Sequence, residues 1–231
     1  SNPMATFDDL RKRRLTIELN NSDTSVLFTS TRRSEAINDG YREFAALTEC
    51  WVKRSTIAVS CNVAEYALST ITDFVRMSAM GLPEYHHTSS GSTAVLTVLA
   101  GDDFPRRDEI WLNRFDAGWR ASTTPGNPTA WYLRDDGGRQ YLGLDIRPDV
   151  GSSESAKLVF PYVATPDLMS TSTSVPFKDA NGERVDLLEY HQALAHYGAY
   201  RLLPLTGDME GAQNQLVKFT DYVKRLFQNR R

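Results

Sequence analysis

Near the carboxyl end, Met209, Ala212, Leu216, Phe219, Val223 and Leu226 recur at intervals of three and four. That period marks a helix with one apolar stripe, and such a stripe must be buried against a partner. Gly207-Asp208 supplies a start signal ahead of it, and Asp221 stands three residues before Lys224, a spacing that suits a helical ion pair. A second stripe lies upstream in Leu187, Ala193 or Leu194, Gly198 and Leu202, ending near Pro204. The amino end offers a matching pattern. Thr6 precedes Phe7-Asp8-Asp9, acids suited to a first helical turn, and the helix continues through Leu10 and Arg11-Lys12-Arg13-Arg14. After the polar break Asn20-Asn21-Ser22-Asp23, a longer helix is expected from Ser30 or Thr31 to about residue 53. Ile37, Tyr41, Phe44, Ala45, Thr48 and Trp51 share its buried face.

Between these ends the apolar period drops to two, and most of the glycine and proline is found there. Ile57, Val59, Cys61 and Val63 alternate with polar or small neighbours, which predicts a strand over 56–63 with Cys61 in the core. Residues 74–80 and 94–99 are weaker strand or helix candidates. A short helix is expected to start at Pro105-Arg106-Arg107-Asp108-Glu109, capped by Asp102-Asp103, with Ile110, Trp111 and Phe115 behind it. Residues 131–134, 140–146 and 157–164 read as strands, and Pro161 suits an edge or a bulge. Trp131 and Leu133 face Leu142, Leu144 and Ile146 across a hairpin whose expected connection is Asp135-Asp136-Gly137-Gly138. Gly126-Asn127-Pro128 is the turn that enters it, and Arg147-Pro148-Asp149 ends it. The expected class is α+β: a helical bundle from residues 4–55 and 185–231, with a β-sandwich-like or barrel-like insertion over 56–184.

The bulk composition is that of a globular chain. At 231 residues, 41% hydrophobic and 24% charged, it can bury a sizeable core. A net charge of −3 argues against general binding to nucleic acid or anionic membrane, so any such contact must rest on local clusters. Cys50 and Cys61 are too few for a disulfide framework and read as free thiols of a protein made in a reducing cytoplasm. No apolar run approaches a membrane span, and SNPMATFDD has no apolar stretch of the kind a signal peptide needs. Ser1-Asn2-Pro3 ahead of Met4 reads as a cloning remnant.

Catalytic chemistry is hard to find. His86-His87 falls in a polar stretch without ligands at metal spacing, and His191 and His196, five apart, occupy different faces of one helix. No nucleophile elbow, phosphate-binding loop or dinucleotide fingerprint occurs, so no cofactor, metal or catalytic residue is assigned. Asp102-Asp103, Asp135-Asp136 and Asp145 with Asp149 are the acid pairs a glycoside hydrolase would need, but each reads better as a cap or a turn. Trp111, Trp119, Trp131 and Tyr132 are the candidate platform of a carbohydrate- or receptor-binding module, the alternative reading. Two basic clusters remain: Arg11, Lys12, Arg13 and Arg14, and the tail Lys224, Arg225, Phe227, Arg230 and Arg231. Short clusters in an acidic chain suit a specific partner, an acidic protein surface or phosphate backbone, better than general DNA binding.

The order of these features resembles a known family. The helix Arg32-Arg33-Ser34-Glu35-Ala36-Ile37-Asn38-Asp39-Gly40-Tyr41-Arg42-Glu43-Phe44-Ala45 is similar to one in bacteriophage head-to-tail adaptor (connector) proteins. Gly126-Asn127-Pro128-Thr129-Ala130-Trp131-Tyr132 matches a segment of their β-rich middle. Strands ending in Ile146-Arg147-Pro148 and in Tyr162-Val163-Ala164-Thr165-Pro166 follow, and two helices close the chain, the second after Gly207-Asp208. The resemblance implies a virion structural protein with no enzymatic activity and no membrane partner. It implies a ring of about twelve copies beneath the portal, joined head to tail. The implied partners are the portal, a tail or nozzle protein, further copies of itself, and packaged DNA in the lumen.

Overall fold

The computed structural model describes residues 5–20, 26–79, 81–90, 95–115, 118–120, 124–179 and 182–229. The chain divides into two compact units, Ser1–Trp51 with Ala164–Arg231, and Val52–Val163. Helices at both ends flank a β-rich middle, as the period of the apolar residues predicts.

In the helical unit, a π-helical turn over Asp9–Arg14 runs into α1 (Leu15–Leu19). Helix α2 (Ser30–Thr48) is capped by the Thr29 hydroxyl, which accepts the Arg32 N–H at 3.3 Å. It buries Ile37, Tyr41, Phe44, Ala45 and Thr48, the expected stripe, but ends earlier than the sequence suggests. Glu49 takes a left-handed conformation, φ 50°, so Trp51 lies past the helix end, where it begins the approach to the first strand.

Helix α3 (Glu109–Phe115) belongs to the other unit. Helix α4 (His191–Leu202) follows a 3₁₀ turn over Val185–Tyr190, and α5 (Met209–Asn229) follows another over Leu203–Thr206. Helix α4 packs against α1, α2 and α5, and Ala193, Leu194, Ala195, Gly198, Ala199 and Leu202 are all buried. A helix apolar on most faces is the centre of a bundle. Close approach to α2 depends on Gly40, where a Cβ would stand 3.0 Å from Tyr197 Cβ and 3.1 Å from the Leu194 carbonyl. Helix α5 starts as expected: Gly207 turns the chain at φ 83°, and the Asp208 carboxylate accepts the Gly211 N–H at 2.8 Å.

Residues 164–184 pack with the helices. Asn38 exchanges two hydrogen bonds with the backbone of Met169, both at 3.0 Å. The Tyr41 hydroxyl accepts the Phe177 N–H at 2.8 Å, and the Phe177 ring meets Tyr41 edge-on at 4.9 Å.

The β-rich unit holds two antiparallel sheets. The larger has the order β1 (Val52–Val59), β8 (Ser155–Ala164), β4 (Glu84–Thr88), β5 (Leu96–Leu99), with β3 (Phe74–Met77) also pairing β8. The smaller orders β2 (Glu65–Ala67), β7 (Arg139–Leu144), β6 (Trp131–Asp136). A two-residue ladder of β9 (Lys178–Asp179) and β10 (Gly182–Glu183) belongs to the helical unit.

Several local expectations need correction. The first strand covers Val52–Val59 rather than 56–63, because the β8 ladder runs from Val52↔Val163 to Val59↔Ala156. Asn62 then turns at φ 63°, and Cys61 is exposed in that turn instead of buried. Pro161 lies in a central strand. Its missing N–H costs little there, because the β4 ladder has already ended at Val159 and the free Pro161 carbonyl accepts the Ser78 N–H at 3.3 Å. Asp102 and Asp103 form their own 3₁₀ turn, and the cap of α3 is Asp108, whose carboxylate accepts the Trp111 N–H at 2.6 Å. The hairpin connection is two residues, Gly137 and Gly138, at φ 59° and 86°, with Asp135 and Asp136 inside β6. Two consecutive positive φ values match the right-handed twist of the strands, and glycine meets that demand without strain.

Candidate interaction surfaces

The amino-terminal basic cluster is paired from within its own helix. Asp8 meets Lys12 at 2.9 Å and also pairs with Arg11, while Asp9 meets Arg14 at 3.1 Å and Arg13 at 3.8 Å. Lys12 first and Arg11 second hold the Asp8 carboxyl below the usual carboxylate range. Arg11 also donates to the Ser30 hydroxyl on α2 at 2.9 Å. Two acids thus offset much of the charge of Arg11, Lys12, Arg13 and Arg14, and only Lys12 and Arg13 are exposed.

The second cluster lies on α5. Lys224 is 3.9 Å from Asp221, the expected spacing at work, and the Arg225 guanidinium stands 5.3 Å over the Tyr222 ring. Leu226 is buried, whereas Phe227 is 46% exposed. Arg230 and Arg231 lie outside the described residues. The two clusters sit on different helices, each engaged locally.

The β-rich unit contains a hollow of about 620 Å³ lined by Asn62, Glu65, Trp119, Arg120, Tyr132 and Arg134 among others. Several of its polar groups are matched to one another. Glu65 accepts two hydrogen bonds from Arg134, at 3.0 and 2.8 Å, and a third from the Tyr132 hydroxyl at 2.8 Å. Glu65 holds the Arg134 guanidinium strongly to its proton, and burial followed by the Glu65 charge pushes the Tyr132 phenol up. Arg120 pairs with Glu109 at 2.6 Å. These paired ions hold that part of the wall in shape.

The acids and aromatics of the rival readings take scaffold positions. The Asp145 carboxylate accepts from Thr129 N, Thr129 Oγ1, Ala130 N and Ile146 N at 2.6–3.0 Å, bracing the turn ahead of β6. Asp135 accepts the Gly138 N–H at 3.1 Å across the hairpin turn. Trp119, Trp131 and Tyr132 are buried, and Trp119 meets Tyr132 edge-on at 4.9 Å. Trp111 is partly exposed and is covered by the Arg107 guanidinium at 4.2 Å. These four aromatics form no common surface.

His191 and His196 lie in one helix, α4, as expected, whereas His86 and His87 are placed differently. His86 and His87 lie in β4 rather than a loop, and each meets a carboxylate, Glu84 at 2.8 Å and Glu154 at 3.2 Å. His196 hydrogen-bonds Gln215 at 2.7 Å, and His191 is buried beside Phe177 with both ring nitrogens unpartnered.

A family model described as SU10 adaptor protein matches residues 5–231. The chain belongs to the SU10 adaptor family. A search of curated proteins finds no match. The match runs through both units of the adaptor. Membership makes the adaptor a phage-type structural protein, a virion component that contacts other virion components, and not a member of an enzyme class. No helix among the described residues is long and apolar enough to cross a membrane.

Two features of the adaptor escape sequence reasoning. The Glu65–Arg134–Tyr132 cluster joins residues far apart in the chain, and no local spacing announces it. The exposed apolar strand β5 is the other, although its run Val95-Leu96-Thr97-Val98-Leu99 carries no charge, a signal visible in the sequence.

Proposed function

We propose that the adaptor forms a ring between portal and tail, joining the capsid to the tail while the genome passes through its lumen. The observation that carries this reading is the family match from residue 5 to 231, which takes in the helical and the β-rich unit alike. In this reading the ring holds about twelve copies, to match the portal, through head-to-tail contacts between two different faces of each subunit. The helical unit, Ser1–Trp51 with Ala164–Arg231, supplies the ring- and portal-packing domain in this reading, and the β-rich unit, Val52–Val163, forms an outer or lower lobe. Lys12 and Arg13 on the first helix, with Lys224, Arg225 and Phe227 on α5, present exposed charge and one exposed aromatic to a partner. An acidic surface of the portal or of a tail or nozzle protein is the matching chemistry, and packaged DNA in the lumen is the other source of negative charge.

The test is co-sedimentation with purified portal rings, comparing the full chain with one lacking residues 224–231. The full chain is expected to pellet with the portal and to add a second ring in electron micrographs, and the shortened chain to stay in the supernatant. A full chain that remains monomeric and unbound in the presence of portal rings overturns the reading. The sugar-platform alternative gains no support from geometry, since three of its four aromatics are buried.

A further inference from the structure

The larger sheet of the β-rich unit has an unusual edge. Strand β5 pairs only with β4 among the described residues, and it carries none of the devices that normally protect an edge. It has no charge, no proline and no bulge, and Val95, Leu96 and Val98 are 60%, 56% and 45% exposed. The Ser89 N–H donates to the Val95 carbonyl at 3.1 Å, and the β4 register continues from there through His87↔Thr97 and Tyr85↔Leu99. In an antiparallel ladder the hydrogen-bonded residues alternate, so Leu96 and Val98 aim their N–H and C=O groups away from β4.

The opposite edge of the same sheet is β1, which pairs only with β8 among the described residues. Ala164 N–H donates to the Trp51 carbonyl at 2.9 Å, which fixes the alternation there: Val52, Arg54, Thr56 and Ala58 aim their backbone groups outward. Each step in the order β1-β8-β4-β5 is antiparallel, so β5 runs opposite to β1. A second copy's β1 laid on β5 in the antiparallel sense therefore has the same direction as the first copy's β1. That relation repeats from copy to copy without a two-fold axis, a heterologous contact of the kind a ring requires.

Charge follows the same direction. In this pairing the end of β5, followed by the exposed acids Asp102 and Asp103, lies beside the start of the neighbour's β1, where Lys53 and Arg54 stand. Each of those cations already holds one acid of its own chain, Asp73 and Glu84, so the incoming pair extends an existing network. Thr56 and Ala58 are exposed on the outward residues of β1 and leave room for Leu96 and Val98.

We propose that β5 of one copy pairs edge to edge with β1 of the next, making one continuous sheet around the assembly. This deepens the ring reading by naming the surfaces that join its subunits.

The test is cysteine cross-linking in a Cys61→Ser background, where the remaining Cys50 is buried. One chain carries Leu96→Cys or Val98→Cys, and the second carries Arg54→Cys, Thr56→Cys or Ala58→Cys. Mixed pairs are oxidised as concentrated free protein and again on purified portal rings. The expected result is a disulfide between a β5 cysteine and a β1 cysteine in at least one pairing, and a ladder of multimers when one chain carries both. Val98→Pro removes an outward N–H and spares the β4 ladder, so in the Leu96→Cys pairing it should lower the yield at least tenfold with little change in Tm. A ladder without portal binding supports the sheet and overturns the portal reading. Rings on the portal without any β5–β1 cross-link overturn the sheet alone. Cross-links only between two β5 cysteines indicate a two-fold contact and also overturn it.

Discussion

His191 is the residue whose chemistry departs furthest from its surroundings. Burial, helped by the charge of Arg14, pushes its pKa down from 6.5 to about 4, and neither ring nitrogen has a partner. The unfolded ring binds a proton below about 6.5, and the folded ring does not until about 4. The stability from keeping it neutral is therefore complete above 6.5 and is lost as pH falls toward 4, amounting to about 3 kcal/mol. His191→Leu should flatten the acid side of a Tm-against-pH curve, and an unchanged slope between pH 6.5 and 4 would contradict the assignment. Gly143 sets a steric limit of another kind. A Cβ there would lie 2.1 Å from Tyr132 Cζ, and that ring is anchored by its hydroxyl to Glu65 and by its edge to Trp119. Gly143→Ala should cost about 1–3 kcal/mol, seen as a lower midpoint in urea unfolding. The His191 effect is not legible in the sequence, because Phe177 and Arg14 come from other parts of the chain, whereas Gly143 faces Tyr132 within one hairpin.

At the scale of elements, the long helices were the most legible. The α5 stripe and its Gly207-Asp208 start were readable from spacing, and Ala212, Phe219, Val223 and Leu226 are buried as that spacing requires. Met209, at the start of that stripe, is exposed instead. Asp208→Ala should cost about 1 kcal/mol and Asp208→Ser should recover most of it, measured by thermal unfolding followed at 222 nm. The hairpin of β6 and β7 was legible for the same reason, as turn chemistry and alternation are local. Its connection proved shorter than expected, since strand pairing continues to Asp136↔Arg139 and leaves only the two glycines to turn. Short strands were the weak point. Strands β2, β4 and β5 have three to five residues each, too few for a period to emerge, and β2 and β4 pair with β7 and β8, far along the chain.

At the scale of the whole molecule, the β-rich unit begins and ends on paired residues. Val52 and Val163 face each other in the β1–β8 ladder, with Ala164 bonded to Trp51 just outside it. Adjacent ends are the condition under which an inserted unit folds alone. Residues 52–163 expressed by themselves should give a cooperative thermal transition and dispersed amide resonances. The helical unit should keep its helical circular dichroism when a short Gly-Ser linker replaces 52–163. A collapsed spectrum for either piece would show that the units depend on each other for folding.

By itself the sequence determined the long helices at both ends and the β6–β7 hairpin, because periodicity, caps and turn chemistry are set by near neighbours. It also determined the family, through the order of those elements along the chain. Tertiary structure alone decided that residues 164–184 join the helices, that Pro161 sits inside a central strand, and that Asp8 and Asp9 absorb much of the charge of Arg11–Arg14. It also left β5 as a bare apolar edge. Each of these depends on which distant segments meet, and that is settled by the packing of the whole chain rather than by any local run of residues.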